Sequence, residues 1–312
     1  MELRKPDIAL PPRRAGDVRI GHLLGQEVKD PDRARLVLVG FPSDEGVRRN
    51  QGRLGAAQAP DRIRERLYAL TPDPRHHEDF VRWVTHTVDL GNLRLRHSLE
   101  ESQERLGKLI APFLQRSIPV IILGGGHETA YGHFLGYVQA GMDMHILNWD
   151  AHLDVRPLRE GLGHSGSPFR QVLDHPSQRC RQYRVVGALP QSVAAEHLRY
   201  LQAKGGTCLW REELTLRRIP ELYAETSIPL MVSFDMDALD QAFAPGVSAP
   251  AAGGLTPEEW FRAAYLAGAS PRVRSIDIVE YNPRFDVDNH TARLAALTIW
   301  HFVSGLIRRA TP

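Results

Sequence analysis

In the run NWDAHLDVR, Asp150, His152 and Asp154 place two carboxylates and an imidazole at every second position, directly after the apolar run HIL. An extended segment sends alternate side chains to one side, so this spacing predicts three donors on a single face. SFDMDALD repeats the pattern with Asp235 and Asp237 after PLMV, and GGGHE adds His127 after PVIIL. Four carboxylates gathered without a cation would repel one another and carry a heavy desolvation cost. A pair of bound cations removes both penalties. The set His127, Asp150, His152, Asp154, Asp235 and Asp237, with some members bridging, suits two ions ~3.5–4 Å apart that share a water. Oxygen-rich ligation with one imidazole per ion and no thiolate favours Mn²⁺, two per chain, over a structural zinc site. Co²⁺, Ni²⁺ and Zn²⁺ also suit such donors. A lone D-x-D is more often a helix cap or loop acid. Three clusters, each after a buried-type strand, carry the metal reading.

The elements that must position these residues follow from the apolar pattern. Strands are predicted at 35–41, 119–125, 145–150, 183–188, 229–235 and 273–280. Nearly every residue in them is apolar, as in a sheet covered on both faces. Between them, SLEESQERLGKLIAPFL spaces its apolar residues at three and four, as a helix does. TPEEWFRAAYLAGA opens with Thr256 as N-cap, Pro257 in the first turn and Glu259 completing a capping box. ARLAALTIWHFVSGLIRR predicts a long amphipathic helix near the C-terminus. These signals give an α/β fold: one domain built on a parallel sheet with helices on both faces, spanning 34–312. Residues 1–33 read as a loosely packed N-terminal arm. In such sheets ligands bind beyond the carboxyl ends of the strands, which is where all three clusters fall.

Bulk properties narrow the partners. The 312 residues include 39 Lys and Arg against 37 Asp and Glu, so charge suggests neither a nucleic-acid nor a membrane partner. The N-terminus lacks the apolar stretch of a signal peptide, and no apolar run is long enough to span a bilayer. Two cysteines, Cys180 and Cys208, form no disulfide framework or metal-like spacing. A soluble, cytoplasmic protein acting on a small molecule is the expectation.

GGGHE, NWDAHLD and SFDMDALD resemble the three metal-binding signatures of the ureohydrolases, the family of arginase, agmatinase and formimidoylglutamase. The resemblance runs from about residue 40 to residue 297. It implies an α/β fold around about eight parallel strands, a binuclear manganese centre and a homo-oligomer. The implied reaction is hydrolysis of a C–N bond at an amidine or guanidine carbon. Within the family the chain is most similar to the formimidoylglutamases, through DEGVRRN, APGVSAP and SGSPF. At the last of these, arginases and agmatinases carry a proton-shuttling histidine where this chain has Ser165, and His164 sits one residue early. Ser165 is accordingly expected to bind substrate, and His164 to assist proton transfer from a shifted register.

Arg156 lies two residues past Asp154. If the extended run continues, its guanidinium reaches the mouth of the site, where it can clamp a carboxylate bidentately. Agmatine offers no carboxylate for such a clamp. Glu280, in SIDIVEYNP, matches the family's glutamate that binds the cationic end of the substrate. Asp154 then orients the attacking hydroxide and passes its proton to the leaving amine. The expected activity is hydrolysis of N-formimidoyl-L-glutamate to L-glutamate and formamide, in histidine degradation. A guanidinobutyrase-, agmatinase- or arginase-like hydrolase is the alternative, as is a metal-bound, non-catalytic subunit. DVDNH (286–290) reads as a loop and helix cap, and Glu128 as an acid starting a helix. Arg48, Arg49 and Arg53 read either as solvated charge or as contacts for a second carboxylate.

Overall fold

LVLVGF, VIILG and LMVSFD are buried on every residue, which a strand tolerates only when both faces of its sheet are covered. In a computed structural model, which describes residues 2–224 and 227–309, these segments lie near the middle of a nine-stranded sheet. The strands are β1 (Leu3–Arg4), β2 (Leu36–Phe41), β3 (Thr87–Leu93), β4 (Val120–Gly124), β5 (Met144–Trp149), β6 (Cys180–Ala188), β7 (Thr207–Trp210), β8 (Leu230–Asp235) and β9 (Val273–Val279). Their order is β1-β3-β2-β4-β9-β8-β5-β6-β7. β1 pairs antiparallel with β3, and all other pairings are parallel. The chain leaves β4 and returns three places along at β5, with β9 and β8 filling the gap. That reversal opens a crevice at the carboxyl ends of the central strands.

All six strands expected from sequence are present. β1, β3 and β7 carry weaker local signals. β1 is two residues long, and TVDLGNL contains Asp89, Gly91 and Asn92, which disfavour a strand reading. Their polarity is answered from outside the strand. Arg64, fully buried, donates to both Asp89 oxygens at 2.7 and 2.9 Å and to Asn92 Oδ1 at 2.7 Å. The expected loose arm is pinned at two points. Its β1 extends the sheet edge, and Ile20 is buried with its N–H on the Leu70 carbonyl at 2.8 Å.

Two apolar layers cover the sheet. On one face Ala59–Tyr68, Pro257–Ala269 and His290–Leu306 pack through Ile63, Trp260 and Phe302 onto Leu123, Val232 and Ile276. On the other, Leu99–Gln115, Thr129–Ala140 and Pro168–Leu173 pack through Leu106, Phe134 and Phe169 onto Val39, Ile122 and Met231. The caps follow the sequence signals. Ser98 Oγ accepts from the Glu101 N–H at 3.1 Å, and Thr256 and Glu259 form the capping box. Asp286, in DVDNH, accepts from the N–H groups of Thr291 and Ala292 at 3.0 and 3.1 Å, the cap role expected for it. Among the described residues, no helix is long and apolar enough to cross a membrane.

Candidate metal centre and substrate pocket

Four adjacent central strands deliver the functional side chains, yet not by extended alternation. β5 ends at Trp149, and the chain turns at once. Asp150 Oδ1 accepts the His152 N–H at 2.7 Å, and Asp154 adopts a left-handed φ of 48°. β8 ends the same way: Asp235 Oδ1 accepts the Asp237 N–H at 2.8 Å over a short 3₁₀ turn, Met236–Ala238. The D-x-[DH] spacing therefore works through paired Asx turns, each bringing residues i and i+2 together by a side-chain-to-backbone bond. After β4, Gly125 passes so close to Ser43 that a Cβ would sit 1.9 Å from its carbonyl oxygen. β9 delivers Glu280, with a φ of 62°. Its N–H donates to the Gly125 carbonyl at 2.8 Å, and its Oε1 accepts the His127 N–H at 2.7 Å.

The six expected ligands converge. His127 Nδ1 faces Asp154 Oδ2 and Asp235 Oδ2 at 2.9 Å each, and Asp150 Oδ2 at 3.5 Å. His152 Nδ1 faces Asp237 Oδ2 at 3.3 Å and Asp150 Oδ1 at 3.4 Å. One set of donor atoms comes from His127, Asp150, Asp154 and Asp235, the other from Asp150, His152 and Asp237, with all atoms of a set within 4.8 Å of one another. Asp150 belongs to both, one oxygen toward each imidazole.

The electrostatics ask for a cation. Burial, then the charges of Asp237 and Asp150, holds Asp235 well above the usual carboxylate range. Burial and Asp150 raise Asp154, and burial with Asp237 and Glu128 pushes Glu280 up to about 8. His127 Nδ1 and Asp237 Oδ1 are buried without a hydrogen-bond partner. The other ring nitrogen, His127 Nε2, lies 3.0 Å from Ser233 Oγ. A proton there leaves Nδ1 as the nitrogen turned to the carboxylates, the one an ion would take in place of a proton. Orphaned buried donors and mutually repelling acids of this kind fit a pair of divalent ions.

A cleft above the cluster is lined by Asn50, Arg156, Ser165, Ser248 and Glu280 together with several of the acids. Arg156 arrives there although the extended run stops at Trp149. Its N–H donates to the Gly166 carbonyl at 2.9 Å, which fixes the loop. Its guanidinium is exposed, touches Asn50 Oδ1 at 3.5 Å, and has no carboxylate partner among the described residues. Ser165 Oγ, mostly buried, accepts from Asn50 Nδ2 at 3.2 Å. Asn50 and Ser248 are pocket residues that sequence reasoning did not single out, although they lie in the motifs DEGVRRN and APGVSAP. His164 does not join the pocket. Its Nε2 meets the Pro157 carbonyl at 3.0 Å and its Nδ1 accepts the Gly166 N–H at 3.1 Å, so both nitrogens are committed to backbone.

Other charged residues resolve similarly. Arg48 pairs with Glu45, Arg49 with Glu45 and Glu100, and Arg53 holds the carbonyls of Ser248 and Val247. Glu128 stands at the N-cap of the helix Thr129–Ala140, the helix start expected for it, but its side chain makes no cap bond. It is fully buried, its Oε1 accepting from Ser43 Oγ and the Gly46 N–H at 2.9 Å each, and burial pushes it up to about 7.

A model of the arginase family matches residues 34–304. The formimidoylglutamase of Lysinibacillus sphaericus is 33% identical over 292 residues, 90% of this chain and 88% of its own length. That of Geobacillus kaustophilus is 37% identical over 285 residues, 88% and 84% of the respective chains. Among solved structures, Trypanosoma cruzi formiminoglutamase with Mn²⁺ superimposes with a TM-score of 0.84 at 31% identity, covering 94% of this chain and all of that one. The sheet order, the acid-and-histidine cluster at its central strand ends and these matches along most of the sequence lead to one assignment: the chain belongs to the arginase family.

Proposed function

We propose that the protein hydrolyses N-formimidoyl-L-glutamate to L-glutamate and formamide, a step of histidine degradation. The observation that carries this reading is Arg156, a guanidinium with no acidic partner among the described residues, at the mouth of a pocket otherwise rich in carboxylates. A substrate that ends in carboxylates and carries a cationic amidine suits that polarity. The family relatives named formimidoylglutamase support the same choice.

His127, Asp150, Asp154 and Asp235 would hold one Mn²⁺, and Asp150, His152 and Asp237 a second. When bound, two such ions lower the pKa of a shared water toward neutrality. The chain's own residues do the rest. Glu280, steered by the His127 N–H, pairs with the planar formamidinium and sets its carbon in the cleft. Asp154 takes the proton of the attacking water and delivers it to the departing amine nitrogen. Arg156 clamps a substrate carboxylate, and Ser165 offers a hydroxyl beside it. His164 serves by holding the 157–166 loop rather than by moving a proton.

The test is a screen of the manganese-loaded protein against formimidoylglutamate, arginine, agmatine and guanidinobutyrate. Glutamate and formamide from the first substrate alone is the expected result. Urea from guanidinobutyrate would assign a guanidino-acid hydrolase instead. No turnover of any amidine at full metal loading would leave a non-catalytic metal protein. A cytoplasmic homo-oligomer accompanies this reading, supported by two free thiols and the exposed apolar side chains Phe243, Phe285 and Val287. Light scattering in solution checks the assembly.

A further inference from the structure

Behind the candidate metal centre runs a polar chain through an otherwise apolar layer. His127 Nε2 meets Ser233 Oγ at 3.0 Å, and Ser233 Oγ donates to Asp277 Oδ1. Asp277 Oδ2 meets His133 Nδ1 at 2.7 Å, His133 Nε2 meets Ser275 Oγ, and Ser275 Oγ meets the Tyr137 hydroxyl at 2.7 Å. Ser233, Asp277, His133, Ser275 and Tyr137 are all completely buried. The register makes the chain possible. Ser233 and Asp277 are direct partners across β8 and β9, and His133 and Tyr137 lie four apart on one face of the helix Thr129–Ala140. A carboxylate and an imidazole in such a layer cost more than the apolar residues that would fill it.

The bonds have a direction. Asp277 is an acceptor, so Ser233 gives it the hydroxyl proton and His133 gives it the Nδ1 proton. Ser233 then has only lone pairs left for His127, which must place its proton on Nε2. Nδ1 of His127 is thereby the nitrogen left to meet an ion among Asp150, Asp154 and Asp235.

We propose that His133 is a positioning residue that acts through Asp277 and Ser233 to fix the tautomer and orientation of His127 toward the ion it helps to hold. This rests on the metal reading given above. It predicts an effect on one ion, because His152 has no part in the chain.

The experiment titrates the metal-free full-length protein with Mn²⁺ alone, following free ion by electron paramagnetic resonance. The wild type should show two binding steps. His133→Phe should weaken one step roughly ten- to a hundred-fold and leave the other unchanged. His133→Gln keeps an N–H for Asp277 and should recover most of the loss. Ser233→Ala, a smaller change in volume, should reproduce the selective loss even if the Phe variant does not fold. Adding His133→Gln to Ser233→Ala should cause no further loss at that step, because the link is already cut. A lower melting temperature of the metal-free variants with both Mn²⁺ steps intact would reduce His133 to a packing residue and overturn the proposal. So would equal weakening of both steps. A wild type that binds no Mn²⁺ would instead remove the metal reading itself.

Discussion

Asp150 is placed differently from the other acids, since its two oxygens face different imidazoles. Asp150→Ala should therefore empty both ion positions, whereas Asp237→Ala should empty only the position shared with His152. Elemental analysis after desalting distinguishes the two, and equal metal content in both variants would contradict the bridging role. Arg156 carries the substrate choice. Arg156→Met removes a charge-assisted bidentate contact worth about 1.5–3 kcal/mol, or roughly a ten- to hundred-fold loss in kcat/KM for formimidoylglutamate. Metal content should stay at the wild-type level. Arg156→Lys should restore only part of the rate, because a point charge does not reproduce the planar fork. Steady-state kinetics unchanged in the Met variant would show that the carboxylate binds elsewhere.

At the scale of elements, strand ends and their turns decide the geometry. Gly125 joins β4 to the loop at Ser43 and, through its carbonyl, to Glu280 just past the end of β9. A methyl group there meets backbone rather than a flexible side chain. Gly125→Ala should cost on the order of 1–3 kcal/mol in urea unfolding and displace Glu280 from the cleft. The long helix His290–Leu306 offers a separate test, remote from the acids. Burial, then the charge of Arg75, lowers His301 from 6.5 to about 4, with Asp73 opposing, while its ring stacks on Phe261 at 4.6 Å. A histidine depressed in the folded state contributes stability above its unfolded pKa and loses it as pH falls toward the folded value. In the presence of chelator, wild type should weaken relative to His301→Phe as pH drops from about 6.5 toward 4. Parallel pH profiles for the two proteins would show that this ring is solvated enough to titrate normally.

For the whole molecule, the acid cluster sits where the sheet reverses, so stability and cation binding are linked. Glu280, raised by burial from 4.5 to about 8, favours the folded state while protonated, below about pH 4.5, and that contribution is lost as pH rises to 8. Asp235, raised by burial and its acidic neighbours, acts in the same direction. The metal-free protein should accordingly lose stability from pH 5 to pH 8. A divalent ion at a thousand times its Kd adds about 4 kcal/mol to the folded state. The gap in Tm between manganese-loaded and chelator-treated protein should therefore widen with pH. A gap that stays constant from pH 5 to 8 would mean that proton release and cation binding are not coupled here.

The sequence by itself determined the candidate ligand types, their D-x-[DH] spacing, six strands and the capped helices, because those signals are local. Apolar periodicity and cap chemistry depend on residues a few positions apart, and they survive without knowledge of the fold. It also located Arg156 and Glu280, through motifs whose order along the chain is itself information. Tertiary structure alone decided how the pieces meet. It replaced extended alternation with Asx turns, gave Asp150 to both sets of donor atoms, and brought Asn50 against Ser165, 115 residues away. It committed both nitrogens of His164 to backbone, and it buried Glu128 on Ser43, 85 residues earlier. The polar chain from His127 to Tyr137 joins a helix to two strands that lie about a hundred or more residues further along. No local pattern announces such contacts, because a buried polar group's partner is chosen by strand register and helix docking, which are fixed only when the core closes.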